Sequence, residues 1–247
     1  EVGHLLPAIP KVRTAAQHKG DPCNPQDPDA LPLDRKPAHM ILSTTSFATG
    51  GRIPADFAFA KHDPDTHATF AGNRNPQLAW TDVPEGVKSF ALICVDPCAP
   101  TVGDDVNKEG HSVSIDLPRA DFYHWLMVDI PADVREIEEG SCSDGVTTGG
   151  KQDPGGPAGN RQGSQDYTSW FASDPDMKGT YLGYDGPAPP WNDEMEHRYH
   201  FRLYALDVER LDVGDAFTSG EMLKAMENHI ISMAWIEGGY TQNPDLL

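Results

Sequence analysis

The apolar residues of this chain come in short runs bounded by turn residues, and none approaches the ~20 residues needed to cross a bilayer. The runs are Met40 to Phe47, Gln77 to Trp80, Ser89 to Asp96, Phe122 to Ile130 and His197 to Leu206. Runs of this length separated by Gly, Pro, Asn and Asp predict an antiparallel, mainly β domain. One helix is expected near 219–229, because Thr218-Ser219-Gly220-Glu221 is a capping box and Met222, Leu223, Met226 and Ile230 follow at helical spacing. Asp133 to Ile137 could form at most a helical turn. Ile231 to Gly238 should then return as a last strand. Strands with few helices suggest a β-sandwich core with helices packed at an edge.

Three of the runs carry a polar group at the rim of a core face. Strand alternation groups Phe90, Leu92, Cys94 and Asp96 on one face. It groups His124 with Leu126, Val128 and Ile130, and His197 and Tyr199 with Phe201 and Leu203. A buried histidine or carboxylate without a partner is costly, so a fold that keeps several either pairs them or uses them. Two imidazoles and a phenol can donate to an anion, and a phosphate ester suits such a group. Asp96 would hold a histidine tautomer or meet the ammonium of a zwitterion. If both histidines gain a proton when an anion binds, a phosphodiester should bind more tightly as pH falls from about 8 to about 6.

The words around these residues are Asp96-Pro97-Cys98-Ala99-Pro100, Tyr123-His124-Trp125, Val128-Asp129-Ile130-Pro131 and Gly186-Pro187-Ala188-Pro189-Pro190 before His197-Arg198-Tyr199. With Asn75-Pro76-Gln77-Leu78-Ala79-Trp80 and Leu203-Tyr204-Ala205-Leu206-Asp207, this order resembles the phosphatidylethanolamine-binding protein family. The resemblance is to its bacterial and archaeal, Raf-kinase-inhibitor-like branch and runs from about Ile41 to Tyr240. It implies that family's β-sandwich with a few short peripheral helices and an anion pocket made by Asp96, His124, Gly186, His197 and Tyr199. Arg198 points away by alternation and is read as structural, paired with an acidic neighbour. The chain departs from the family where Cys98 stands in place of a second acidic residue. Two stretches, roughly 101–121 and 161–182, look longer than in compact members and could lid or narrow the pocket.

The implied function is recognition of a phosphate-containing small molecule or phospholipid head group, with modulation of a protein partner a further role. An interaction module that inhibits a kinase or protease is an alternative, and a hydrolase using the Asp/His pocket is another. Binding is favoured over catalysis: there is no Gly-x-Ser-x-Gly elbow and no His-Glu-x-x-His, so no catalytic residue, metal ligand or cofactor is assigned.

Composition narrows the partners. With 38 acidic against 19 basic residues the formal charge is -19, which disfavours nucleic acid and anionic membrane surfaces. Asp63-Pro64-Asp65 and Asp174-Pro175-Asp176 do not continue as calcium loops and are read as turns. His62 and His67 are placed in a polar turn away from the pocket. The cysteines at 23, 94, 98 and 142 are too few and too unevenly placed for a disulfide framework. Cys94 is read as core, and Cys98 as either reactive or a small loop filler. Residues 1–38 hold seven prolines and no sustained periodicity, so they are read as an arm preceding a single domain at 39–247. The eight glycines from Gly140 to Gly163 suggest a long surface loop. The absence of an initial Met allows for a removed signal peptide, and export to the periplasm or outside the cell is favoured over a cytoplasmic location.

Overall fold

The computed structural model describes Cys23 and residues 40–247. In chain order the elements are β1 (Ile41–Ser43), β2 (Ala60–Asp63), β3 (His67–Phe70), β4 (Leu78–Thr81), β5 (Ser89–Pro100), β6 (Arg119–Pro131), β7 (Glu136–Ile137), β8 (Arg161–Gln162), α1 (Tyr167–Trp170), β9 (His197–Leu206), α2 (Ser219–Met226) and β10 (Ile230–Tyr240). A five-stranded antiparallel sheet, β10-β9-β5-β6-β8, faces a three-stranded one, β1-β4-β7, while β2 and β3 form a separate hairpin.

The long central strands are buried on both faces, which explains why their sequences read as continuous apolar runs rather than clean alternation. On one side Leu92, Cys94, Trp125, Met127, Phe201 and Leu203 pack with Leu42, Leu78 and Trp80 of the small sheet. On the other, Ala91, Ile93, Val95, Leu126, Val128 and Leu206 pack with Met222 and Met226 of α2. The helix ends at Met226 and starts with the expected capping box, in which the Thr218 hydroxyl accepts from the Glu221 N–H. Ile230, expected to continue the helical stripe, instead opens β10.

Three sequence expectations need correction here. Leu126 and Val128 face α2, whereas Ile130 belongs to the other core with Trp125 and Met127, so the alternation counted from His124 fails. The causes are in the register: Cys94 pairs with Trp125 and Val95 with Tyr123, leaving His124 as an extra residue in β6, and Phe90 pairs with Ile130 but Leu92 with Met127, which shifts Ile130 relative to Val128. Such a bulge re-aims a side chain. Residues 136–137, expected as a helical turn, pair with β4 as a short strand. The glycine-rich stretch is not all surface: Cys142 and Ser143 are buried, their amides donate to the Asn75 side chain, and β8 closes the stretch against β6.

Cys98 is neither a free thiol nor a mere filler, since it is joined to Cys23 by a disulfide across 75 positions. Cys94 and Cys142 are free and buried. The remainder of the proline-rich arm lies outside the described residues. The disulfide ties Cys23 to the residue two positions after Asp96.

Candidate ligand-binding site

A second bulge shapes the Asp96 side. Asp96 pairs with Phe122 and Ala99 with Ala120, three steps on β5 against two on β6. Pro97 has no N–H for the ladder, and a bulge is where a strand tolerates such a residue. The Cys98 N–H turns back to Asp96 Oδ1 at 2.7 Å, and the Cys98 carbonyl accepts from Arg119 at 3.0 Å.

Asp96 Oδ2 lies 2.7 Å from His197 Nδ1, and His197 Nε2 lies 3.1 Å from Asp193 Oδ2. Asp193 is then gripped by both Arg119 terminal nitrogens, at 2.5 and 3.0 Å. All four side chains are buried. Burial alone would push the His197 pKa down, but the charges of Asp96 and Asp193 and their hydrogen bonds outweigh it and hold it up at about 9. Burial would likewise raise Asp193, yet His197 and Arg119 keep it below the usual carboxylate range. At neutral pH His197 is therefore a cation between two anions, with both ring nitrogens committed.

His124 is in a different state. Its Nδ1 lies 2.8 Å from the Asp185 carbonyl oxygen, which can only accept, so Nδ1 carries the proton and Nε2 the lone pair. Burial lowers its pKa to about 4, with the nearby Asp96 charge opposing the shift only in part. The ring packs edge-on against Tyr199 and Tyr167. Tyr199 is fully buried, and its hydroxyl makes no well-formed hydrogen bond, although the Asp96 carboxylate is near enough to act on it. Burial, followed by the Asp96 charge, pushes that phenol well above its ordinary pKa, so it remains protonated.

Asp96, His124, His197 and Tyr199 line one cavity of about 90 Å³. Asp96 reaches it from β5, His124 from β6, and His197 and Tyr199 from β9. Gly186 is placed differently. It is not among the lining residues, its N–H donates to Asn73 Oδ1, and its carbonyl accepts from Tyr167. A Cβ there would overlap the Phe57 carbonyl oxygen, so glycine is required for close packing behind the wall. The expectation of two histidines donating to an anion also changes. His197 has no free donor and His124 is neutral, and neither titrates between pH 6 and 8.

Sequence reasoning missed several supporting residues. Asp185 holds the His124 tautomer through its carbonyl, while its carboxylate accepts from Asn73, Lys151 and Gln165 at 2.6–2.7 Å. Burial raises the Asp185 pKa, and Lys151 offsets part of that rise. Its position directly before Gly186 was the available signal. Arg119 and Asp193 carried none, one being a charge at the start of β6 and the other lying in an irregular acidic stretch. Gln242 was missed as well: its Nε2 donates to the Pro189 carbonyl, which fixes the amide orientation and leaves a buried Oε1 without a partner on the cavity wall. Arg198, expected beside an acid, donates to the Gly50 carbonyl, and Arg52 takes Glu196 instead.

Both longer stretches reach the cavity, the first through Asn107 and the second through Tyr167, Trp170 and Phe171. The turn expected at residues 63–65 joins β2 to β3. This hairpin lies beside the mouth rather than away from it, because Ala60, Ala68 and Phe70 are lining residues. Among the described residues no group of three or more His, Cys, Asp or Glu is placed to hold a metal ion. No described helix is long and apolar enough to cross a membrane.

A family model described as phosphatidylethanolamine-binding protein matches residues 43–241. The UPF0098 protein YbhB of Escherichia coli is 36% identical over 184 residues, covering 74% of this chain and 88% of the relative. A UPF0098 protein of Methanothermobacter thermautotrophicus is 33% identical over 201 residues, covering 81% and 98%. The crystal structure of Escherichia coli YbcL, described as a new member of the mammalian PEBP family, superposes with a TM-score of 0.59 at 25% identity, covering 82% of this chain and 98% of that one.

Proposed function

Because the chain belongs to the phosphatidylethanolamine-binding protein family, and so to a group of ligand-binding proteins, we propose that its cavity binds a phosphate-bearing small molecule as the singly protonated monoester. The observation that carries this reading is the set of polar atoms left over in the cavity. Tyr199 offers one hydroxyl donor and Gln242 Oε1 one acceptor, while His124 Nε2 carries a lone pair and the Asp96 oxygens already accept from Cys98 and His197. A fully ionised phosphate would meet lone pairs. A P–OH group supplies the missing proton, while another phosphate oxygen accepts from Tyr199. Buried polar atoms are rarely left unpaired, and a ligand or ordered water is the usual reason when they are.

Phosphomonoesters lose their second proton near pH 6, and diesters have none to lose. A phosphodiester, including an intact phospholipid head group, is therefore the poorer fit. The reading also favours binding over turnover. A general acid–base pair must exchange protons near neutral pH, but His197 is held between two carboxylates and His124, its pKa lowered to about 4 by burial, is a weak base.

Calorimetry with ethyl phosphate and dimethyl phosphate at about pH 8 and about pH 5.5 tests this. The monoester should tighten on the order of 50-fold as its monoanion becomes the main species, and the diester should bind weakly and equally at both. A diester that matches the monoester, and tightens as pH falls through about 6.5, would show that the histidines supply the proton instead.

A further inference from the structure

We infer that the protein forms an isopeptide bond between its own side chains, joining Lys151 Nζ to Asn73 Cγ with release of ammonia and with Asp185 carrying the protons. None of the three residues lines the cavity. Lys151 comes from the glycine-rich stretch, Asn73 from the segment between β3 and β4, and Asp185 directly precedes Gly186. Lys151 Nζ donates to Asp185 Oδ1 at 2.6 Å, and Asn73 Nδ2 donates to that same oxygen at 2.7 Å. Two donors on one acceptor stand about 4 Å apart, and Asn73 Cγ is bonded to one of them. The amine and the amide carbon are thus held side by side, with a carboxylate between the nitrogen that must lose protons and the nitrogen that must gain them.

The electrophile is held just as firmly. The Gly186 N–H donates to Asn73 Oδ1 at 2.8 Å, so charge that develops on this oxygen in a tetrahedral intermediate meets a fixed donor. The Asn73 N–H donates to the Ala58 carbonyl, and the Asn73 carbonyl accepts from the Ser143 hydroxyl at 2.5 Å. Gln165 Nε2 donates to the other Asp185 oxygen at 2.7 Å, which fixes the plane of the carboxylate. Asn73 and Asp185 are fully buried and the Lys151 side chain is only 12% exposed, so little water competes with the amine. Burial also makes the Asp185 carboxylate a better proton acceptor, since it raises that pKa.

In the reaction Asp185 takes a proton from the Lys151 ammonium, and the freed Nζ lone pair bonds to Asn73 Cγ while the C=O π pair moves onto Oδ1. When that pair returns, the Cγ–Nδ2 bond breaks. The two protons that Nζ gives up pass through Asp185 to Nδ2, ammonia leaves as ammonium, and Asp185 is again a carboxylate. No oxidant or cofactor enters.

Intact-mass measurement and peptide mapping of the purified full chain test this. The wild type should weigh one ammonia less than its sequence, and a branched peptide should join the segments that contain Asn73 and Lys151. Lys151→Arg keeps the positive charge beside Asp185 but offers no comparable nucleophile, and Asp185→Asn keeps the shape but cannot carry protons, so neither should lose ammonia. The bond would close a long loop, and Lys151→Arg should therefore melt on the order of 10 °C below the wild type. Full sequence mass in the wild type, with Lys151 cut by trypsin in the denatured chain, would overturn the inference. So would a branched peptide lighter by water in place of ammonia, because Asp185 would then be the electrophile.

Discussion

On one side of the cavity Asp96, His197, Asp193 and Arg119 form a buried chain in which each charge meets its opposite. On the other, His124 and Tyr199 keep polar atoms that make no well-formed hydrogen bond to the protein. In the sequence the two histidines look alike, since each opens a run read as a strand. The fold gives them opposite charge states, about 9 for one pKa and about 4 for the other. The satisfied side is built for rigidity. The unsatisfied side is what a ligand can complete, so the difference between holding and binding lies in which valences are left over.

The comparison breaks most visibly on the satisfied side. Arg119→Ala leaves Asp193 buried against a single histidine, and removing one partner of a buried pair costs about 3–5 kcal/mol. Urea unfolding should register that loss directly. A change under 1 kcal/mol would mean that the chain of charges contributes little.

The pH dependence of stability should separate the two histidines next. His197 is raised from 6.5 to about 9, so its contribution is fully present below about pH 6.5 and is lost as pH rises through 9. Two and a half pH units correspond to roughly 3 kcal/mol as an upper figure. His124 is lowered to about 4, so the unfolded chain binds more protons and stability declines as pH falls from 6.5 to 4. His200, lowered to about 4 by burial and then by Arg202, adds to that acid limb. Melting curves across this range should peak near pH 6–7, and His197→Asn should flatten the alkaline limb only.

The smallest stability effect belongs to the unsatisfied side. Tyr199→Phe removes a hydroxyl that makes no well-formed hydrogen bond, so stability should shift by no more than about 0.5 kcal/mol in either direction. Affinity for ethyl phosphate should nevertheless fall about tenfold, the loss of one hydrogen bond to a charged group. A large loss of stability without loss of binding would reverse the assignment of roles.

The sheet was legible in the sequence because its strands are apolar and bounded by turn residues; β9 falls on the expected 197–206. The capping box marked α2 for the same local reason. What alternation could not show was the extra residue at His124, because a bulge is a property of strand pairing and not of one strand. It was this insertion, and not period-two spacing, that turned His124 toward Asp96. The partners of His197 were equally hidden. Asp193 lies four residues earlier in an irregular segment, and Arg119 comes from the start of another strand. Tyr199, by contrast, follows from alternation with Phe201 and Leu203, and all three share one core. The Cys23–Cys98 link joins positions with no shared spacing pattern, which is why counting cysteines did not reveal it.

The central claim is that these two histidines hold different charges at the same pH, and nitrogen-15 NMR of the imidazole rings reads that directly. At about pH 7.5 His197 should show two protonated nitrogens, while His124 should show one, at Nδ1, and keep that tautomer down to about pH 5. Two rings that titrate together near pH 6.5 would contradict the account.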